Sequence, residues 1–368
     1  MISLLVVNYR TASLAANAIR TAREGTSAPL QVVVVDNSCD PSEAGALRSM
    51  SDVLLVPDTN LGYAGGINLG RRSCEGGTLI VSNPDVTFSA GALDRLAGAL
   101  DDRTAVAGPA LFWDDAHQWM LPPADLNTTA EKIDEVLATR ARNWFEQRDQ
   151  RRFRRRLAFW SAKHVIEVRA LSGAVMAIRA ADFDAAGGFD ERFRLYFEEI
   201  DFLRRLAERR RRIVYVPDAR CRHLYNQSAG RDAAAAASAY ARSELQYLEK
   251  WSGPFAARLL KRLERSSPAF EAARIEGPIA IDRRDVVVEV SPLPSFATAA
   301  GHFPNGDQVD LPAEIWETVR AEPLYFRVVE RSTARVLATY SRSAAASAAA
   351  LDEAAASPSR AVAVPPHS

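Results

Sequence analysis

The stretch QVVVVD, residues 31–36, decides the fold. Its valines form a continuous apolar run with no polar face, the signature of a strand covered on both sides. Outward from it, ISLLVV (2–7), DVLLV (52–56) and TLIVS (78–82) are runs of the same kind, each bounded by turn residues. Between and after them lie the helical stretches SLAANAIRTAR (13–23), GINLGRRS (66–73) and SAGALDRLAGAL (89–100). Apolar strands alternating with helices predict an α/β fold, a mostly parallel sheet with helices on both faces. Ligands of such sheets collect at the carboxyl ends of the strands. Those ends carry Asn8-Tyr9, Asp36-Asn37 and Ser82-Asn83-Pro84-Asp85.

The chain has 368 residues, 48% hydrophobic and 25% charged, the composition of a globular protein with a large core. Lys plus Arg and Asp plus Glu are 46 each, which gives no support for a nucleic-acid partner. Cys39, Cys74 and Cys221 match no metal spacing and suit a reducing compartment. MISLLVVNYR is too short an apolar run for a signal peptide, and no run reaches the roughly 20 apolar residues that span a bilayer. The expectation is a cytoplasmic protein, soluble or peripheral at the inner face of the plasma membrane.

From about 112 to 165 the alternation weakens, in a segment holding Trp113, Trp119, Trp144, Trp160 and the basic run RRFRRR (151–156). Helices are expected near 232–250 and 254–265. DVVVEV, LYFRVVE and RVLATYS read as strands of an antiparallel module, with LPAEIWETVR as a short helix. The expected organisation is a catalytic domain over 1–230, divided near 110 into a nucleotide-binding and an acceptor half. A helical extension (231–270), a β-rich C-terminal module (271–342) and a disordered Ala/Ser/Pro-rich tail (343–368) follow.

Several motifs carry residue types suited to chemistry. SNPDV (82–86) closes a strand with Asp85, which can hold Mg²⁺ or Mn²⁺ through one carboxylate or simply cap a turn. NLGYAGGINLG (60–70) lets backbone approach a phosphate closely, although Gly65 and Gly70 also suit a tight strand-to-helix connection. Its Asn60 and Asn68 can read a ligand by hydrogen bonds. Asp36 can accept the ring N–H of a pyrimidine base or form an Asx-turn. His223 is a candidate metal ligand. In LYFEEIDFLRR (195–205), Glu199 shares a helical stripe with Phe202, Leu203 and Leu206, where burial raises a carboxyl pKa toward that of a general base. Glu198 and Asp201 fall on a flanking stripe, where first-turn acids complement the helix dipole and Asp201 can pair with Arg205.

In order, VVNYR, VVVVDNS, NLGYAGGINLG, SNPDV, LSGAVMAIR, GGFDERFRLYFEEIDF and His223 resemble the family 2 glycosyltransferases, most closely their rhamnosyltransferase-like branch, over roughly residues 1–230. The resemblance implies a GT-A fold and inverting transfer of a sugar, with rhamnose a candidate, from a nucleotide-diphosphate donor. The acceptor would be a hydroxyl of a growing cell-surface polysaccharide or lipid-linked glycan. It implies that Asp36 contacts the base and that Asn60, Gly62 and Tyr63 line the nucleotide pocket. Asn8, Asn68 and Asn83 complete the expected nucleotide-sugar contacts. Asp85 and His223 would hold a divalent cation, Mn²⁺ or Mg²⁺. Asn83-Pro84-Asp85 stands where many members have two aspartates. Glu199 occupies the place of the base, the second acid of a Glu-Asp pair, and Glu198 is the first catalytic acid of that pair. RRFRRR suits an anionic acceptor or a membrane surface, or else a solvated helix face. A nucleotidyltransferase or a dinucleotide-dependent oxidoreductase would place its glycine loop after the first strand, where this chain has NYRTAS. A catalytically degenerate binding module is the non-enzymatic alternative.

Overall fold

The apolar runs become the strands that their lack of a polar face predicts. Ile2–Asn8 (β1), Leu30–Asp36 (β2), Val53–Leu55 (β3) and Thr78–Ser82 (β4) lie in the order β3-β2-β1-β4, all parallel. Helices Ala12–Gly25 (α1), Pro41–Arg48 (α2) and Gly62–Arg71 (α3) connect them. The step from β3 back across to β4 reverses the direction of travel, so right-handed crossovers put α3 on the face opposite α1 and α2. Two glycines let α3 lie close on its face: a Cβ at Gly66 would press on Val7, and one at Gly70 on Leu5 and Val35. These are alternate residues of paired strands, as one face of a sheet requires.

The computed structural model describes residues 1–224, 233–319 and 323–343. They divide into two compact units. The first comprises Met1–His117, Pro123–Val136 and Ser161–Glu264, the second Gln118–Pro122, Leu137–Trp160 and the chain from Arg265. The sheet of the first unit continues with Val86–Phe88 (β5), Thr104–Phe112 (β6), Ile166–Glu167 (β7), Val175–Arg179 (β8) and Arg212–His223 (β9). Its order is β3-β2-β1-β4-β8-β6-β9-β5, with β7 also on β9. β8 runs against both β4 and β6, whereas β6 and β9 run with the first four strands. β5 and β7 run against β9. The sheet is therefore mostly parallel, as expected, with reversed strands at the points where chemistry-bearing loops meet.

Ala92–Gly98 (α4) follows β5, and Thr129–Ala138 (α5) and Arg142–Trp160 (α6) lie between β6 and β7. Ala180–Ala185 (α7), Glu198–Glu208 (α8), Ala233–Ser252 (α9) and Pro254–Leu263 (α10) come later. Lys132 of α5, almost fully buried, reaches Glu244 of α9 at 2.7 Å and Glu264, just past α10, at 2.9 Å. Lys261 bridges the same two glutamates at 2.7 and 2.6 Å. This shared ion cluster holds the helices together more firmly than isolated surface pairs would.

In the second unit, Ala273–Arg274 (β10), Val286–Ser291 (β12), Ala300–His302 (β13), Leu324–Glu330 (β15) and Val336–Arg342 (β16) form the order β10-β16-β15-β12-β13. Ile279–Ala280 (β11) pairs with Gln308–Val309 (β14), and Ala313–Thr318 is a short helix, α11. The module is β-rich as expected, antiparallel except where β10 meets β16. RRFRRR lies on α6, and it is not a wholly solvated face: Phe153 and Arg156 are buried. Arg156 Nε donates to Glu289 at 2.6 Å, and Glu289 also accepts from Arg327 Nε at 2.6 Å. Arg327 in turn grips Asp149 of α6 through two bonds of 2.8 and 3.0 Å. Trp113, Trp119 and Trp160 are buried, so of the four tryptophans in the 112–165 segment only Trp144 is exposed. The alanine-rich tail expected from 343 lies, after its first residue, outside the described residues.

Breaking a buried ion network strands its remaining charges. Glu289→Gln should therefore cost the second unit about 3–5 kcal/mol in equilibrium urea unfolding. A loss below about 1 kcal/mol would show that the network is not what secures α6 to the strands.

Candidate active site

Reversed strands gather the acids at one edge of the sheet. β4 ends at Ser82, paired with Val175 at the start of β8, and Asn83 N–H continues the ladder to Ala174 O at 2.8 Å. Asp85 follows, and the antiparallel register of β5 on β9 sets Val86 opposite His223. That register brings His223 Nε2 to 3.3 Å from Asp85 Oδ1, both residues being buried. Gly173, beside this edge, has no side chain where the Glu199 methylenes lie. A Cβ there would sit 3.0 Å from Glu199 Cγ. The β5–β9 pairing thus joins Asp85 to His223, and the β4–β8 pairing sets Gly173, against Glu199, next to the strand end that leads to Asp85.

α8 presents its acids differently from the stripe reading. Asp201 is 0% and Glu198 5% exposed, while Glu199 is half-buried. The expected flanking stripe is itself buried, and at Asp201 it is α9 that covers it. Asp201 accepts from Arg205 Nε at 2.8 Å, as its spacing predicted, and also from Trp251 Nε1 at 2.9 Å, with Lys250 Nζ at 2.6 Å. Among the described residues no side chain forms a hydrogen bond or ion pair with Glu198 or Glu199. One oxygen of each, Oε2, is buried without a hydrogen bond among the described residues, and so is the Tyr63 hydroxyl. Burial, reinforced by the charge of Glu199, holds the Glu198 carboxyl well above its usual range. Burial also raises Glu199, partly offset by backbone N–H groups at the helix start. The Tyr63 phenol is pushed up by burial and then by the charges of Glu198, Glu199 and Asp85, which locates it among those acids.

The residues before α8 are strained. Tyr196 and Phe197 both have positive φ, 67° and 71°, a conformation costly for bulky side chains. Arg194 locks the glycine loop to them. Its carbonyl accepts from Tyr63 N–H at 2.8 Å, and its guanidinium donates to Asn60 O at 2.7 Å. Gly62, at φ 76°, lies so close to Arg194 O that a Cβ would come within 2.7 Å of it. The first turn of α3, which bears Tyr63, is thereby fixed beside the acidic helix.

Other expected ligand contacts have internal partners. Asn8 Nδ2 donates to Asp36 and Glu43, each at 2.9 Å, and its oxygen accepts from the backbone and hydroxyl of Thr11. All of its hydrogen-bonding capacity is used, so Asn8 positions Asp36 rather than reading a ligand. Asp36 is fully buried and closes an Asx-turn onto Ser38, accepting from its N–H at 3.1 Å and its hydroxyl at 2.9 Å. Asn68 ties α3 to the loop before α8 through Phe189 N–H and O and Glu191. Asn60 is exposed, its side-chain oxygen taken by Gly62 N–H at 2.8 Å, and Asn83 is half-buried at the strand end. Asn37, named in the sequence only as part of a strand end, holds the glycine loop by donating to Gly62 O at 2.9 Å. Its place at the end of the valine strand was the available signal.

Among the described residues no three His, Cys, Asp or Glu side chains converge as a metal cage. Asp85 and His223 nonetheless fit a site of two protein ligands completed by phosphate oxygens and water.

An α/β unit with acids at the carboxyl edge of its sheet presents them where ligands of such sheets bind. The chain matches the Glycosyltransferase like family 2 over residues 1–243, and it belongs to that family. It is 30% identical over 242 residues to the N-acetylglucosaminyl-diphospho-decaprenol L-rhamnosyltransferase of Mycobacterium tuberculosis, covering 61% of this chain and 76% of that protein. Among solved structures, a mannosyltransferase from Pyrobaculum calidifontis in complex with GDP-Man and Mn²⁺ aligns at TM-score 0.45 and 16% identity, over 73% of this chain and 65% of its own. GalNAc-T7 with UDP, GalNAc and Mn²⁺ aligns at TM-score 0.45 and 14% identity, over 61% of this chain. The chain thus spans just under two thirds of the first structure and 44% of the second.

A carboxyl whose folded pKa is raised adds stability below its unfolded pKa, about 4.3, and loses it as pH rises through the folded value. Glu198→Gln should therefore raise the melting temperature at pH 8, with the gain fading as the pH falls to about 4. Thermal melts across that range check the sign. A lower melting temperature at pH 8 would mean that Glu198 has a stabilising partner in solution.

Proposed function

We propose that this chain is an inverting glycosyltransferase that moves a sugar from a nucleoside diphosphate donor to a hydroxyl of a lipid-linked glycan. The observation that carries the reading is the glutamate pair at the start of α8, each with one buried oxygen that has no hydrogen bond among the described residues, around a Tyr63 that also feels the charge of Asp85, the neighbour of His223. Unsatisfied carboxylates are costly to fold around, and they persist where chemistry uses them. Identity with the Mycobacterium tuberculosis rhamnosyltransferase supports a deoxyhexose donor and a polyprenyl-diphosphate-linked acceptor.

The pair divides its work by environment. Glu198 is more deeply buried and lies next to the charge of Glu199, so it keeps its proton to higher pH. Glu199 is half-buried, and burial raises its carboxyl above the usual carboxylate range, the direction that favours taking up a proton. In the proposed reaction Glu199 takes the proton of the acceptor hydroxyl. That oxygen forms a bond to the anomeric carbon as the carbon–oxygen bond to the diphosphate breaks on the opposite face. One displacement inverts the configuration. Asp85 and His223 would hold a divalent cation, whose role when bound is to offset charge on the departing diphosphate. The Tyr63 hydroxyl, buried and unpaired, is available to donate to a substrate oxygen among these acids. The turn Asp36–Ser38 and the loop Asn60–Tyr63 would form the nucleotide side of the pocket, shaped from behind by Asn8, Asn37 and Asn68.

Glu199→Gln should lower the transfer rate about 10²–10⁴-fold while donor binding is kept. Transfer within a few-fold of wild type would reassign the base. Asp85→Ala should abolish the Mn²⁺-dependent rise in melting temperature caused by a nucleoside diphosphate, since such a rise reports native-state binding. A panel of thymidine, uridine and guanosine diphosphates, with and without Mn²⁺, measures this and selects the donor nucleotide. No shift from any of them would favour a binding module without catalysis.

A further inference from the structure

We propose that α10 docks the chain on an anionic lipid surface, with Phe255 and Leu259 entering the headgroup boundary and Arg258 and Arg262 meeting lipid phosphates. The helix, PFAARLLKRL, carries Arg258, Lys261 and Arg262 and no acid. At 100° per residue, Phe255, Arg258, Leu259 and Arg262 fall within an arc of roughly 100°. All four are exposed, whereas Ala257 and Leu260, on the opposite side, are buried. Phe255 is 82% exposed and Leu259 45%, on a helix whose other apolar stripe is already used for packing. Lys261 is engaged with Glu244 and Glu264, and Arg258 lies 3.7 Å from Glu249. Arg262 forms no ion pair among the described residues.

Charge and size select the occupant. Two apolar side chains are too small a patch for a stable protein interface, which buries about 800 Å² per partner. An aromatic and a leucine flanked by arginines suit shallow insertion into a bilayer whose surface is negative. No described helix is long and apolar enough to cross a membrane, so contact of this kind would be peripheral. The inference deepens the transferase reading, because a lipid-linked acceptor lies at such a surface. The binding itself stands on α10 alone.

The test is co-sedimentation of the full chain with vesicles of phosphatidylglycerol and phosphatidylcholine in equal parts, and with vesicles of phosphatidylcholine alone. Wild type should partition at least about tenfold more strongly onto the anionic vesicles, and high salt should release it. Arg258→Gln with Arg262→Gln should weaken this about 25-fold, roughly fivefold per arginine. Phe255→Ser with Leu259→Ser should lower it by a similar or greater factor. Both variants change exposed side chains, so their melting temperatures should match wild type. Wild-type indifference to lipid charge, or either double variant binding like wild type, would overturn the proposal. So would loss of self-association in sedimentation velocity, without loss of vesicle binding, in Phe255→Ser with Leu259→Ser, which would assign the face to a second copy of the chain. Nucleoside diphosphate binding is read separately as a melting shift, so failure of the transferase reading leaves the vesicle result intact.

Discussion

The site depends on one fully buried carboxylate, Asp201. Removing a carboxylate from water is expensive, and only close, multiple donors offset it. Asp201 has them in Arg205, Lys250 and the Trp251 indole, which join the acidic helix to α9. Arg205 also donates to the carbonyls of Ala186 and Gly188, fastening the loop that follows α7. With α8 anchored one turn in, its first turn can carry two glutamates that gain little from their surroundings. The strain at Tyr196 and Phe197 belongs to the same arrangement: the anchor and the Arg194 contacts hold the chain in a shape that neither aromatic residue would choose.

Much of the sheet was legible because its strands are covered on both faces. Valine runs without a polar side leave few alternatives, and they give both the parallel core and the edge where ligands gather. The reversed strands were harder to see. Nothing in VMAIR says that it runs against TLIVS, yet that pairing places Gly173 under Glu199. His223 and Asp85 were each named from residue type, but their adjacency comes from a strand register that sequence does not display.

The acidic helix shows where periodicity stops being sufficient. A stripe argument assumes one buried face, and α8 is buried on more than one because α9 covers its second side. Asp201 therefore read as a flanking first-turn acid, and its burial went unseen although its pairing with Arg205 was foreseen. The asparagines show a related limit. Asn8 and Asn68 occupy positions where ligands collect, and only the partners of each amide reveal that they are spent on the scaffold. Residue type gives a capacity for hydrogen bonds, not their destination. In RRFRRR the composition suggested solvent or lipid, while Arg156 is drawn inward by a glutamate more than a hundred residues away.

That glutamate has a further effect within the second unit. Glu289 of β12 stands directly opposite Arg327 of β15 in the antiparallel ladder, and both point toward the face that carries Arg156 and Asp149. Side chains alternate along a strand, so a slip of one residue in either strand would turn its charge to the wrong face. The slipped pairing would bury Val288 or Val328 against the charges of α6 and leave those charges unmatched. A valine-rich ladder such as VVVEV against FRVV has little else to tell neighbouring registers apart. The opposed ions act as an alignment key: they add selectivity to a sheet whose apolar residues alone would tolerate misalignment.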